Sequence, residues 1–593
     1  MTGLTRPSVD ERRVTSGQQV GVVAGAGEGP GVETGQQRNI HGLGKTRLRE
    51  RGKRTTIIRV LDSLSPVEDF TANERRALAP YFTNVDRPVF ALRNLPEVVK
   101  GALFARYSRS AKSVRRLFLD EFHEAVASGA SETVGVERAE RLYERVFGDY
   151  GDDSVAQLGG AHIACEGVSN ILTKVLERGR LMAYLEQSTR YVPYTDRPGG
   201  RWKYIVPTEL EGHPLQVRYR ETLDDAFATY AQWFEQAQEH YRRKHPRTDG
   251  DSEAVYRAAI RAKALDTLRG LLPAATRSNV GIFGSGQAFE ALLLRLRAHP
   301  LAESRECAGQ ILTELRKLIP AFLTRVDRRD RGVRWSEYLA ATRRNSEAET
   351  SRILAGLEPE PREEVTLADF DPEGEVKVVA AILYQSSRLP EEQLISVARG
   401  MNVDDRVALL KAYVGNRANR RHRPGRAFER TDYCFDLLSD YGAFRDLQRH
   451  RLLTIEWQRL STDHGYTEPA AIEEIGAADD WQRVMDRTRA LYDKWSAEMP
   501  TTAQYCVPMA YRLRYRMQMN AREAMHVIEL RTAPQGHPAY RRVCQRMHTL
   551  IAEQAGHRAL AEAMSYADHT SVELERLGAE RANERRRQAA APD

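Results

Sequence analysis

Four landmarks occur twice, in the same order, in the two halves of this 593-residue chain. VVKGALFARYSRS, with Tyr107, is answered by EVKVVAAILYQSS, with Tyr384, and LERGRLMAY, with Arg178 and Arg180, by LQRHRLLTI, with Arg449 and Arg451. LLPAAT, with Pro273, is answered by CVPMAY, with Pro508, and QAFEALLLRLRAHP, with Arg297, by REAMHVIELRTAP, with Arg531. One such match arises easily by chance; four in order do not, so the chain reads as two diverged copies of one domain. Counterparts stand further apart in the first two landmarks than in the last two. The first copy therefore holds an insertion, placed in the charged, helix-like stretch 217–261.

A chain of this length exceeds what one hydrophobic core usually organises, which agrees with duplication. With 41% hydrophobic and 29% charged residues it has the composition of a folded protein, and no apolar run reaches the length of a membrane span. The first residues lack a secretory core, and the five cysteines show neither metal nor disulfide spacing, so a cytoplasmic protein without a metal site or a membrane partner is expected. The net charge of +7 gathers in two end segments, 45–59 and 581–587, rather than in a stripe along the fold. They read as solvated tails, with no nucleic-acid partner expected. The expected organisation is a disordered basic tail over 1–55, a first domain over 56–345, an acidic, proline-containing linker or domain entrance over 346–374, a second domain over 375–580, and a basic tail over 581–593.

In the first copy Glu186, Ser188 and Arg190 share one face if the chain is extended there. A carboxylate, a hydroxyl and a forked guanidinium on one face suit a phosphorylated polar ligand; an edge-strand ion pair between Glu186 and Arg190 is the alternative. Arg178, Arg269 and Arg297 could join the same pocket, although an arginine closing a helix, as Arg297 does, is also an ordinary dipole partner. In the second copy Arg449, His450 and Arg451 put two cations and an imidazole before an extended stretch, fitting a pyrophosphate or a ring that becomes anionic on reduction. Asn520, Arg522, His526 and Glu529 follow on a helix, Arg522, His526 and Glu529 on one face of it, and a satisfied polar face is the alternative reading. No Gly-rich phosphate loop, serine elbow or zinc signature is present, so any chemistry must come from a cofactor.

These residues resemble the flavin-dependent thymidylate synthases, whose signature is an Arg-His-Arg triplet, an Asn-Glu-x-Ser-x-Arg-Tyr stretch and an Asn-Ala-Arg helix ending in Leu-Arg. The first copy keeps Arg178-Gly179-Arg180 and Glu186-Gln187-Ser188-Thr189-Arg190-Tyr191, without the histidine and asparagine; the second keeps Arg449-His450-Arg451 and Asn520-Ala521-Arg522, with Glu456-Trp457-Gln458-Arg459-Leu460-Ser461 in place of the nucleotide element and Gln504 in place of Arg269. HRPGRAFER, 422–430, also resembles the family's flavin loop.

The resemblance implies an α+β fold, a tandem pair of domains each with a mixed or antiparallel sheet wrapped by helices. It implies reductive methylation of dUMP to dTMP, with methylenetetrahydrofolate and NADPH as co-substrates and FAD as cofactor, and no protein nucleophile. Arg178, Glu186, Ser188, Arg190, Arg269 and Arg297 would bind the nucleotide; Arg449, His450, Arg451, Asn520, Arg522 and His526 would bind the flavin; Arg297, Arg531 and His450 would serve the reaction. Because the family builds its sites between subunits of a homotetramer, reciprocal losses imply one composite site per tandem pair, and a homodimer that reproduces a tetramer. The alternative is a flavin- and nucleotide-binding protein that acts on another pyrimidine or has lost methyl transfer.

Overall fold

The computed structural model describes residues 68–107, 110–127 and 157–590. The tail expected over 1–55, and the basic run at 45–59 within it, lie outside the described residues.

The first copy is built on an antiparallel sheet of three strands, β1 (Gly160–Ser169), β2 (Met182–Glu186) and β3 (Arg277–Ser285), in the order β1-β3-β2. Strict alternation of buried and exposed residues along β3 shows why the segment is a strand, with one face on the core and one away from it. Ser169 ends β1 and caps α1 (Asn170–Leu176), its hydroxyl accepting from the Leu172 amide. The stretch 217–261, where the insertion is expected, falls in the helices α2 (Leu215–Lys244) and α3 (Glu253–Leu268), whereas the second copy has one long helix, Ala478–Ser496, between the same landmarks. After β3, Ser285 caps α4 (Gly286–Arg297), and the longer α5 (Arg334–Ile353) closes the copy.

The second copy repeats this order with one strand more. Its sheet, β4-β5-β7-β6, consists of β4 (Val365–Phe370), β5 (Asp432–Asp440), β6 (Thr454–Trp457) and β7 (Arg512–Asn520), all antiparallel. α6 (Tyr441–Leu447) follows β5 as α1 follows β1, and α7 (Ala521–Arg531) follows β7 as α4 follows β3. α8 (Pro538–Glu553) and α9 (Leu577–Ala590) complete it. The α+β class and the tandem pair are both as expected.

Two expected boundaries are corrected. The segment 346–374 is no open linker, since its start finishes α5 and Val365–Phe370 forms an edge strand paired with β5. The segment 581–593 is no free tail through residue 590: α9 lies against the first copy, Arg581 pairs with Asp251 at 2.5 and 2.7 Å, and Ser252 bonds Glu584.

The two copies meet through equivalent residues. Pro273 and Pro508, counterparts in the sequence, form a β-bridge; the Ala274 amide donates to Val507 O at 2.8 Å and the Met509 amide to Leu272 O at 2.9 Å. Such reciprocity is the mark of an isologous, twofold interface, realised here inside one chain. A single apolar core runs across it, from Tyr219, Tyr230 and Leu265 of α2 and α3 to Tyr441, Trp481 and Met517 of the second copy. Among the described residues no helix is long and apolar enough to cross a membrane.

Candidate functional site

The end of β7 fixes the first half of the site. Asn520 caps α7, its side chain accepting from the Glu523 amide at 2.9 Å, and Arg522 donates to Pro424 O at 2.9 Å beside Glu429 at 3.4 Å. Both residues, expected to hold a cofactor, are engaged in ending the strand and holding the 424–429 turn. The next helical positions turn inward, bringing Glu523 and His526, three residues apart, to His450.

His450 is buried, accepting from Arg531 Nε through Nε2 at 2.8 Å, while its Nδ1 lies 3.7 Å from the Glu523 carboxylate. His526 meets it edge-on at 5.4 Å and takes Arg423 Nη2 on Nδ1 at 2.8 Å. A guanidinium only donates, so these contacts fix both tautomers, with the proton of His450 on Nδ1 and that of His526 on Nε2. Burial, then Arg531, hold His450 well below the usual histidine range; burial, then Arg423, bring His526 down to about 4. His450, Glu523 and His526 are close enough together to suggest a cation site. Their geometry opposes it, because each ring's lone pair is already turned to an arginine and the nitrogens left over carry protons.

Glu523 is only 5% exposed, and burial raises its carboxyl to about 7 against the pull of Arg423 and Arg522. A carboxyl raised in the folded state contributes stability that is complete below its unfolded value, near 4.5, and is lost as pH rises through about 7. Glu523→Gln, which mimics the neutral acid, is therefore expected to remove a decline of up to about 3 kcal/mol between those limits. Urea midpoints across the pH range measure it.

Arg449, His450, Arg451, Arg423, Glu523 and His526 of the second copy line a cavity of about 810 Å³. The first copy closes it with Arg180, whose guanidinium donates to Thr454 Oγ1 at 2.9 Å, and with Leu181 and Phe283. The cavity thus belongs to both copies.

A second cluster lies behind Arg449. Glu186 is wholly buried, taking Lys174 Nζ at 3.0 Å from α1, and Arg445 Nη2 at 2.9 Å and Arg449 Nη2 at 2.6 Å from across the interface. Burial opposes its ionisation, but Lys174, Arg445 and Arg449 outweigh it and hold the carboxyl well below the usual range. Arg190 forks onto Asp266 at 2.7 and 2.5 Å and donates to Tyr540 Oη at 3.1 Å. Arg269 reaches Asp446 at 3.4 Å, and burial, which would raise Asp446, is overcome by Arg449 and Arg269. Arg190 and Arg269 of the first copy and Arg449 and Arg531 of the second thus surround Asp446, which feels all four charges.

The common face expected for Glu186, Ser188 and Arg190 does not form. β2 ends at Glu186; Ser188 and Arg190 lie in the following turn, where Ser188 Oγ accepts the Arg190 amide at 3.2 Å. The alternative Glu186–Arg190 ion pair does not form either, as each has other partners. Arg178 is also elsewhere, half exposed, bonded to Glu456 at 2.5 Å and 5.3 Å over the Trp457 ring. Arg297 is the largest departure from expectation: it bonds Asp327 at 2.6 Å and Val326 O at 3.0 Å within the first copy, apart from the cluster that holds its counterpart Arg531. Sequence reasoning missed Lys174, Asp266, Arg423, Arg445, Asp446 and Glu523. Local signals existed for two of them: Asp446 stands one helical turn before Arg449, and Arg423 lies in the 422–430 loop already singled out.

Residues 102–321 and 366–555, one segment in each copy, match the family model described as thymidylate synthase complementing protein. The chain belongs to this family. A thymidylate synthase complementing protein in two tandem copies is also the arrangement expected from the landmarks. A UPF0159 protein of Chlamydia muridarum is 36% identical over 522 residues, which cover 87% of this chain and 98% of the relative. A flavin-dependent thymidylate synthase of Mycobacterium sp. (strain KMS) is 29% identical over 182 residues, covering 30% of this chain and 67% of that protein. Among solved structures, a UMP/dUMP methylase from Streptomyces cacaoi bound with 5-Br dUMP aligns at 19% identity and a TM-score of 0.27, over 34% of this chain and 97% of that one.

Proposed function

We propose that the protein is an FAD-dependent enzyme that methylates dUMP, with methylenetetrahydrofolate and NADPH as co-substrates, at one composite site per tandem pair. One observation carries this reading: the groups contributed by one copy are complemented by the other, while the twofold-related positions hold residues of different chemistry. Counting from the paired landmarks, His450, Glu523 and His526 stand opposite Gly179, Phe289 and Leu292. Glu186, Arg190 and Arg269 stand opposite Trp457, Ser461 and Gln504.

The residues present fit a flavin nucleotide. The 810 Å³ cavity offers Arg180, Arg423, Arg449 and Arg451 to a pyrophosphate, and apolar walls at Leu181, Phe283 and Leu452 to a ring; Arg449 Nε is buried with no partner among the described residues. Arg423, Arg449, His450, Arg451 and His526 would hold it. When bound, FAD would supply the hydride. Arg190 and Arg269 bind the nucleotide phosphate, Arg190 exchanging Asp266 for it and Arg269 donating through Nη2, which is buried without a partner among the described residues. Arg531, fixed by His450, stabilises negative charge that develops on the pyrimidine. Neutral His450 keeps its Nδ1 proton as a donor rather than exchanging it.

Two chains would pair to reproduce a family tetramer, using the exposed Leu158, Leu181 and Leu452 at the cavity mouth. Release of the C5 proton from dUMP labelled at that position, dependent on FAD, NADPH and methylenetetrahydrofolate, tests the reading. Bound FAD without proton release would leave only a flavin- and nucleotide-binding protein.

A further inference from the structure

In the first copy the counterpart of the His450 cluster has been rebuilt into something else. Gly179 replaces the histidine, and a Cβ there would lie 2.6 Å from Tyr184 Oη and 3.4 Å from Arg295 Nη2. Those two side chains need the space that a larger residue would fill. Arg295 occupies the helix position that Glu529 holds in the second copy, where Glu529 is paired with Arg417 at 2.6 Å. Among the described residues Arg295 has no such counter-ion and its Nη2 is buried without a hydrogen-bond partner, while its Nη1 donates to Ala291 O at 3.3 Å. Gln287 Oε1 is likewise buried and unpartnered.

Both side chains line a cavity of about 410 Å³, distinct from the one at His450 and sharing with it only the wall Arg180–Met182. Ala288 and Leu294 give it an apolar floor, and the Trp335 indole, 56% exposed, stands at its rim. One guanidinium nitrogen of Arg295 and the Gln287 amide oxygen are buried without a hydrogen-bond partner among the described residues, and atoms left so beside a cavity cost stability unless something is bound there. An apolar pocket with a few convergent polar groups is the usual form of a small-molecule site.

We propose that this cavity is a second ligand site, which takes a flat bicyclic aromatic ring bearing one anionic group. Arg295 receives the anion and Trp335 stacks on the ring. Gln287 accepts a hydrogen bond from a ring N–H or hydroxyl. A carboxylate and a phosphate match Arg295 equally well, so either could be the anion. The site stands on the first copy's own residues and does not depend on the function proposed for the composite site.

Calorimetric titration of the full chain with 2-naphthoate and with 2-naphthyl phosphate tests it. Saturable binding of at least one probe is expected, the one that binds naming the anion. Arg295→Met should weaken that binding about tenfold to hundredfold while raising the melting temperature, since it removes a cation with a buried nitrogen that has no partner among the described residues. Trp335→Ala, at the exposed rim, should weaken it with little change in melting temperature. Failure of both probes to bind, unchanged binding by both variants, or a fall in melting temperature in Arg295→Met would overturn the proposal.

Discussion

Glu186→Gln is expected to lower the free energy of unfolding by about 3–5 kcal/mol, read from urea denaturation at neutral pH. The substitution keeps the shape and one acceptor oxygen but removes the charge that faces Lys174, Arg445 and Arg449 together. Lys174 would retain Glu177 at 2.5 Å and Arg449 would retain Asp446 at 3.6 Å. Arg445 would keep at most the neutral amide oxygen and Met509 Sδ at 3.1 Å, with its Nε already unpartnered among the described residues, and so would become a buried cation without a counter-charge. The half-exposed pair of Arg178 and Glu456 is the natural contrast: Arg178→Met should cost no more than about 1 kcal/mol. The pH dependence has a definite sign. A carboxyl held low in the folded state contributes stability at neutral pH that is lost as pH falls through its folded value, so Glu186→Gln should also flatten the acid side of the stability curve.

Arg190→Met and Arg449→Met are each expected to reduce C5-proton release from dUMP by about a hundredfold or more, the scale on which removal of a single preorganised donor acts. The two arginines lie in different copies, yet both feel Asp446 and both belong to one cluster. Loss of the same activity from either side follows only if the site is shared. Arg297→Met is the control, since Arg297 is tied to Asp327 away from the cluster and its loss should leave proton release within about twofold. Mixing the two inactive variants should restore nothing if each site is completed within its own chain. Arg449→Lys, which keeps the charge beside Glu186 but loses the fork, separates catalytic loss from unfolding.

The duplication was legible because landmarks survive divergence when they mark strand ends and helix starts: the triplets follow α1 and α6, and the Leu-Arg pairs close α4 and α7. Pairing across the interface was not legible. Lys174 and Arg445 look like ordinary helix charges, and nothing local reveals that α1 and α6 are buried against the other copy. Glu186 and Arg190 were read on one face because alternation presumes a continuous strand, whereas β2 stops at Glu186 and the turn after it redirects the chain. Arg297 and Arg531 are equivalent in sequence but differ in environment, since only α7 faces His450 while α4 faces Asp327. Asn520 and Arg522 were recognised as polar helix-start residues, but the demands of capping and of the 424–429 turn take up their hydrogen bonds.

The central claim, that two copies make one site, is tested most directly by counting bound ligands. Titration of the purified chain with FAD, followed by flavin absorbance and calorimetry, should saturate at one FAD per 593-residue chain, with Arg180→Met and Arg449→Met both weakening that single site. Saturation at two FAD per chain, or a stoichiometry of one that only Arg449→Met weakens, would contradict it.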